Sequence, residues 1–235
     1  MDTQTRHALK GDKFAQATKT SVTWLSGHRT NVMRWAISAA VVLIVGIGFL
    51  VFWNMQESAA ETALGEAMDT YAAPLALPGA PAQKGEYATA ADRSKAANQQ
   101  FKAVADKYGW RPEGGKAQYF TGVTDQEMGQ TAAAQVELKK AASSWNRNLA
   151  NLAKVALASI YRQAGSDQQA IDLYNEIIAK PSDTVTAGAA QLDLADLYAA
   201  TGKQAQARAL WAKLKDADKD GAAGAIAAQK LAGKQ

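Results

Sequence analysis

The stretch LAKVALASIYRQAGSDQQAIDLYNEII, residues 152–178, decides how this chain folds, because it occurs three times in altered form. One copy precedes it, GKAQYFTGVTDQEMGQTAAAQVELKKA (115–141), and one follows, AQLDLADLYAATGKQAQARALWAKL (190–214). A turn glycine aligns them: Gly129, Gly165 and Gly202, spaced 36 and 37 residues apart. Seven residues before each stands a small residue, Gly122, Ala158 or Ala195. Five after it stands an alanine, Ala134, Ala170 or Ala207. A bulky residue comes four further on, Leu138, Tyr174 or Trp211, and then Ala141, Ile177 or Leu214. Four before the glycine the second and third copies carry Tyr161 and Tyr198, where the first has Asp125.

This spacing describes two helices joined by a tight reversal. Residues three and four apart share a helix face. The small residue allows close approach of the paired helices, and the glycine suits a turn that needs positive φ. The bulky residue fills the space between units. One such unit cannot bury its own apolar face, so units must stack.

The pattern extends in both directions. Ala97, Phe101 and Val104 stand 37 residues before Ala134, Leu138 and Ala141, as the second half of an earlier unit. Its helix is expected from about residue 88 to 108, closed by Gly109 and Pro112. The matching first helix would be residues 57–73, separated by the proline-rich insert 74–87. At the other end, 221–231 reads as a capping helix. Frequent alanine and sparse β-branched residues agree with an all-α protein.

YRQAGSDQQAIDLYNEII resembles a tetratricopeptide repeat, with Tyr161, Gly165, Ala170, Tyr174 and Ile177 at the motif positions. The period is two or three residues longer than usual, and Pro181 falls one place short of the usual proline. The resemblance implies a solenoid whose groove is lined by the first helix of each unit and binds extended partners. Carried onto this sequence, the groove positions are Tyr119, Gln126, Ser159, Arg162, Gln163 and Asp196.

Upstream of the repeats lies WAISAAVVLIVGIGFLVFW (35–53), with no charge and tryptophan at both ends. A bilayer-spanning helix needs about 20 apolar residues, and residues 35–55 supply them. Tryptophan favours the headgroup region. The run is too long and too far from the N-terminus for an ordinary signal peptide, although Ser58-Ala59-Ala60 offers a small-residue cleavage site. Before Trp35 the charges are Arg6, Lys10, Lys13, Lys19, Arg29 and Arg34 against Asp2 and Asp12. After the run come Glu57, Glu61, Glu66 and Asp69, with no basic residue until Lys84. Basic residues remain on the cytoplasmic side, so the expected topology is N-terminus cytoplasmic and repeats periplasmic, in a bacterial inner membrane.

The net charge of +4 belongs to that tail. Removing its six basic and two acidic residues from the totals of 26 and 22 leaves 20 of each. The repeats therefore lack the basic bias of a nucleic-acid domain. Cysteine is absent, so thiol chemistry and disulfides are too. The two histidines, His7 and His28, both lie in the tail, leaving no histidine for catalysis or metal binding in the repeats. No enzyme activity and no cofactor are expected. One weak calcium candidate is DADKDG, with Asp216, Asp218 and Asp220, but the twelfth position of such a loop, where a bidentate Glu is needed, is Ala227. The competing expectation is a polar linker in which Asp220 caps the last helix.

The expected organisation is a basic tail (1–34), a transmembrane helix (35–55), an interrupted helical repeat (56–110), three tetratricopeptide-like repeats (115–215), and a linker with capping helix (216–235). In layout this is similar to the ancillary subunit of the bacterial SecYEG translocon, whose repeat domain is related to one in a cell-division coordinator. That resemblance implies protein partners: translocon subunits, periplasmic chaperones or emerging chains. An envelope or cell-division scaffold is the alternative, and a calcium-responsive module a remote one.

Overall fold

The computed structural model describes residues 29–233. The tail expected at 1–34, with His7 and His28, lies almost wholly outside the described residues. The described part is all helical: α1 (Arg29–Ala72), α2 (Ala90–Tyr108), α3 (Pro112–Glu127), α4 (Thr131–Ala142), α5 (Arg147–Gln163), α6 (Asp167–Ala179), α7 (Ala187–Ala200), α8 (Gln204–Ala217) and α9 (Ala222–Ala232). Two compact units divide at Gln56 and Glu57.

In the first unit, mean hydropathy along α1 reaches 2.6 over 18 residues, none of them buried. Met33, Trp35, Leu43, Ile44, Phe49 and Leu50 are all exposed. This helix is long and apolar enough to cross a membrane, and it is not the buried core helix of a globular domain.

The second unit is a tetratricopeptide-like stack. Each helix from α2 to α9 packs on the next in sequence. Contacts beyond the neighbour are few: α3 touches α5, and α7 touches α9. The three turn glycines have φ of 74°, 69° and 78°, where a side chain would be strained. Each turn closes with the same pair of bonds. In the middle copy, Ser166 N–H donates to Tyr161 C=O at 2.8 Å and Gly165 N–H to Arg162 C=O at 3.1 Å. Gln130 to Asp125 and Lys203 to Tyr198 repeat the bond that spans five residues, each at 2.8 Å. This is the Schellman arrangement, which satisfies the carbonyls at a helix end and reverses the chain.

The repeat positions form the core. Ala134, Ala170 and Ala207 are fully buried, as are Ala158 and Ala195. Leu138, Tyr174 and Trp211 are 1–2% exposed. At Gly122 a Cβ would fall 2.6 Å from Leu138 Cγ, so α3 and α4 cross at a distance only glycine permits.

Residues 57–72 of α1 pair with α2. Ala60, Ala67, Ala97, Phe101, Val104 and Ala117 form one buried cluster. Tyr71, Phe101 and Phe120 meet ring to ring, with Phe101 stacked on Phe120 at 5.1 Å between centroids. The insert between α1 and α2 closes on itself. Ala76 N–H donates to Tyr87 C=O at 2.9 Å and Tyr87 N–H to Pro74 C=O at 3.1 Å. Thr89 then caps α2, accepting from Asp92 N–H at 3.1 Å, so the helix starts at Ala90 rather than 88. Pro112 opens α3 at a helix position where its missing N–H costs nothing.

The end of the chain corrects one expectation. The cap of α9 comes from Asp218, not Asp220: its carboxylate accepts Gly224 N–H at 3.1 Å, while Gly221 occupies the N-cap position.

Candidate partner-binding groove

The expected groove residues sit on the first helices of three successive units, α3, α5 and α7. Gln126 and Arg162 occupy equivalent positions, three before the turn glycine; Ser159 and Asp196 are equivalent, six before it. Repetition of one fold therefore sets them on the same side of the stack. Hydrogen bonds join part of the row: Gln126 Nε2 donates to Gln163 Oε1 at 3.2 Å, and Gln163 Nε2 to Ser159 Oγ at 3.3 Å.

An open cleft of about 460 Å³ lies between α5 and α7, lined by Ser159, Arg162, Gln163, Asp167, Leu197 and Thr201. Three of the six expected residues are in it. These two helices approach each other less closely than α3 and α5 or α7 and α9. The longer connection, residues 180–186, accompanies this wider gap, as does the 37-residue spacing between turn glycines.

Arg162 is exposed, yet oriented. Its positive charge acts on both Tyr174 and Asp193, favouring the ionised form of each. Burial pushes the Asp193 carboxyl above its ordinary range, Arg162 opposes the shift, and Asp196 adds to it. Burial likewise raises Tyr174, with Arg162 again opposing. Asp193 was not among the expected residues. Its signal in the sequence is an acid one turn before Asp196 on the same helix.

The other three expected residues stand apart from the cleft. Gln126 reaches it only through Gln163. Tyr119 is half-buried, packs edge-on against Phe120 at 5.1 Å, and has its hydroxyl pKa raised by burial. Asp196 forms an ion pair with Lys230 of α9 at 2.7 Å; its other oxygen, Oδ1, is buried without a hydrogen-bond partner.

The cleft thus presents one guanidinium with nearby carboxylates, a hydroxyl pair and a primary amide. Such a surface can hydrogen-bond the backbone and neutral polar groups of an extended chain. Among the described residues, no three of His, Cys, Asp or Glu are placed to hold a metal ion. Asp216, Asp218 and Asp220 are not gathered into such a cluster, and Asp218 is engaged in the α9 cap.

No protein family and no curated protein matches this chain. Among solved structures, a tetratricopeptide repeat protein from Parabacteroides merdae ATCC 43184 is 18% identical with a TM-score of 0.48; the match covers 60% of this chain and about half, 53%, of that one. A Podosopora anserina protein described as a kinesin light chain with nearly identical TPR-like repeats is also 18% identical, covering 60% of this chain and 77% of that one, with a TM-score of 0.49. The fold assignment rests on the repeated helix geometry described above.

Proposed function

We propose that this chain is a membrane-anchored protein-binding scaffold that serves the Sec translocon or its periplasmic chaperones. Residues 35–55 form the anchor, the basic tail lies in the cytoplasm, and the repeats from 57 onward lie in the periplasm. The observation that carries the binding role is the cleft between α5 and α7, where Ser159, Arg162 and Gln163 line an open space beside Leu197 and Thr201. An extended segment of an emerging chain or a chaperone occupies it, with Arg162 as the principal contact. Anchoring confines the groove to the membrane surface and raises its effective concentration near membrane-bound partners.

Retention of the apolar helix is supported by the packing just beyond it. Cleavage after Ala60 would remove a fully buried alanine from the cluster around Phe101. It would also remove Glu57, which lies 3.7 Å from the Arg111 guanidinium.

The test is photo-crosslinking in intact cells from a probe replacing Arg162, with Gln168 on the outer face as control. Translocon subunits, chaperones or many nascent envelope proteins are the expected adducts. A single dominant division or cell-wall protein would shift the role to an envelope scaffold. Equal labelling from Arg162 and Gln168 would remove the groove assignment.

A further inference from the structure

The loops that join one repeat to the next line a single edge of the stack. Trp110, Arg111, Lys140, Ser144 and Trp145 bound a cavity of about 300 Å³ between the first two loops. The second loop is tied to the third: Asp183 N–H donates to Asn148 Oδ1 and the Thr184 hydroxyl to Asn148 C=O, both at 3.1 Å. Glu57 belongs to the same edge through its ion pair with Arg111.

Each loop places one apolar residue just before the helix N-cap: Trp110 before Arg111, Trp145 before Asn146, and Val185 before Thr186. A residue there ordinarily folds back to pack on its own helix. Val185 is buried in this way. Trp110 and Trp145 are 55% and 87% exposed; the Arg111 guanidinium lies over the Trp110 ring at 4.5 Å from its centroid, and both indoles still present much of their surface outward at equivalent positions. Lys140 lines the cavity with Trp145, and Arg147 is exposed two residues further on; the acid Glu137 is paired with Lys140. The opposite edge, formed by the turns at Gly129, Gly165 and Gly202, carries no tryptophan.

The position of Glu57 in the chain names the partner. It follows Met55 by two residues, a reach of at most about 7 Å at 3.3–3.6 Å per residue. The edge therefore includes a residue two positions along the chain from the end of the apolar run. We infer that this edge rests in the headgroup layer of the bilayer that holds residues 35–55, with Trp110 and Trp145 set among the lipid carbonyls and Arg147 facing lipid phosphates. Tryptophan suits that layer because its ring is apolar and its N–H is polar, and basic side chains are drawn to anionic lipid. This inference rests on the anchor reading and adds a second membrane contact, one that holds the groove at a fixed height above the lipid.

The natural chain has no cysteine, so a single introduced one can carry a nitroxide. The full chain is reconstituted into vesicles of mixed zwitterionic and anionic phospholipid, labelled at Ser143→Cys, at Gln168→Cys, or at Ile44→Cys. Collision with oxygen is compared with collision with a water-soluble nickel complex. The label at 44 should lie deep in the bilayer. The label at 143 should favour oxygen, and the label at 168 the nickel complex. Replacing Trp110 and Trp145 by Ser should abolish the preference at 143 with helicity unchanged by circular dichroism, while replacing both by Tyr should retain it. A deep label at 44 with a water-exposed label at 143 overturns this inference alone, including when protein extract, but not lipid, shields position 143. A water-exposed label at 44 overturns the anchor reading as well. A preference at 143 that survives the Ser substitutions also overturns the inference.

Discussion

Two seams of the same stack are built from opposite chemistry. Where α7, α8 and α9 meet, the filling is apolar: Trp211 stands 1% exposed among Ala195, Ala207, Leu214 and Ala227. Where α2 meets α3, the apolar contact of Phe101 with Phe120 is flanked by a buried polar network. Asn98 Nδ2 lies 2.8 Å from Asp125 Oδ1, 2.9 Å from Thr124 Oγ1 and 3.1 Å from Thr121 C=O. Below them, Glu127 accepts from the Ser94 hydroxyl at 2.5 Å and the Tyr71 hydroxyl at 2.6 Å. Desolvation, with the Glu127 hydrogen bond second, pushes the Tyr71 pKa to about 12. The backbone turn is the same at both ends. A repeat therefore constrains backbone geometry more tightly than it constrains the chemistry of the seam, provided each buried polar group finds a partner.

The largest expected effect is at the apolar seam. Trp211→Ala removes a fully buried ring and should cost about 3–5 kcal/mol, read by chemical denaturation of the full chain in detergent. Units in a stack couple mainly to their neighbours. Hydrogen-exchange protection should accordingly fall in α7, α8 and α9 and persist in α3 and α4. Uniform loss along the stack would mean that the two seams are not energetically separable.

The polar seam should respond in a different way. Asn98→Leu leaves the Asp125 carboxylate buried without its amide donor and should cost about 1–3 kcal/mol. Substituting both partners, Asn98→Leu with Asp125→Leu, should recover most of that loss, because the neighbouring groups remain satisfied. The Thr124 hydroxyl keeps an acceptor for its one proton, either Phe120 C=O at 2.7 Å or Thr121 C=O at 3.0 Å. Additive losses in the double variant would show that the pair is not the unit holding this seam.

The two seams also differ in how far they could be read from sequence. The glycine spacing located all three reversals, and the residues counted from it at −7, +5, +9 and +12 are buried, because turn geometry and the 3.6-residue period are local. The same counting singled out Asp125 as the break in the first copy. It could not supply the reason, Asn98, which lies 27 residues earlier on a different helix. The groove was legible to the same extent. Ser159, Arg162 and Gln163 come from the repeat resemblance, and the structure places them along the cleft. Asp193 opposite Arg162 and Lys230 on Asp196 depend on how helices far apart in sequence register against each other. The exposed pair Trp110 and Trp145 likewise gains its meaning only when two loops 35 residues apart form one edge.

The smallest effect sharpens the comparison through pH. Burial raises the Asp125 carboxyl above its ordinary value of 3.8; the Asn98 hydrogen bond opposes this, Glu137 adds to it and Lys102 lowers it. A carboxyl with a raised folded pKa holds its proton more tightly in the native state than in the unfolded chain. Its share of stability is then complete below the unfolded value and is lost as pH rises through the folded one. Asp125→Asn keeps an oxygen that can accept from Asn98 and removes the buried charge. Relative to the natural chain, the variant should therefore gain stability as pH climbs from below 3.8 toward neutrality, and the two should differ least in acid. Unfolding free energies of both chains across that range measure the difference directly. A difference that narrows with rising pH would mean that the Asn98 bond favours the ionised carboxylate more than burial disfavours it. The polar seam would then be stabilised by its charge, rather than retained in spite of it.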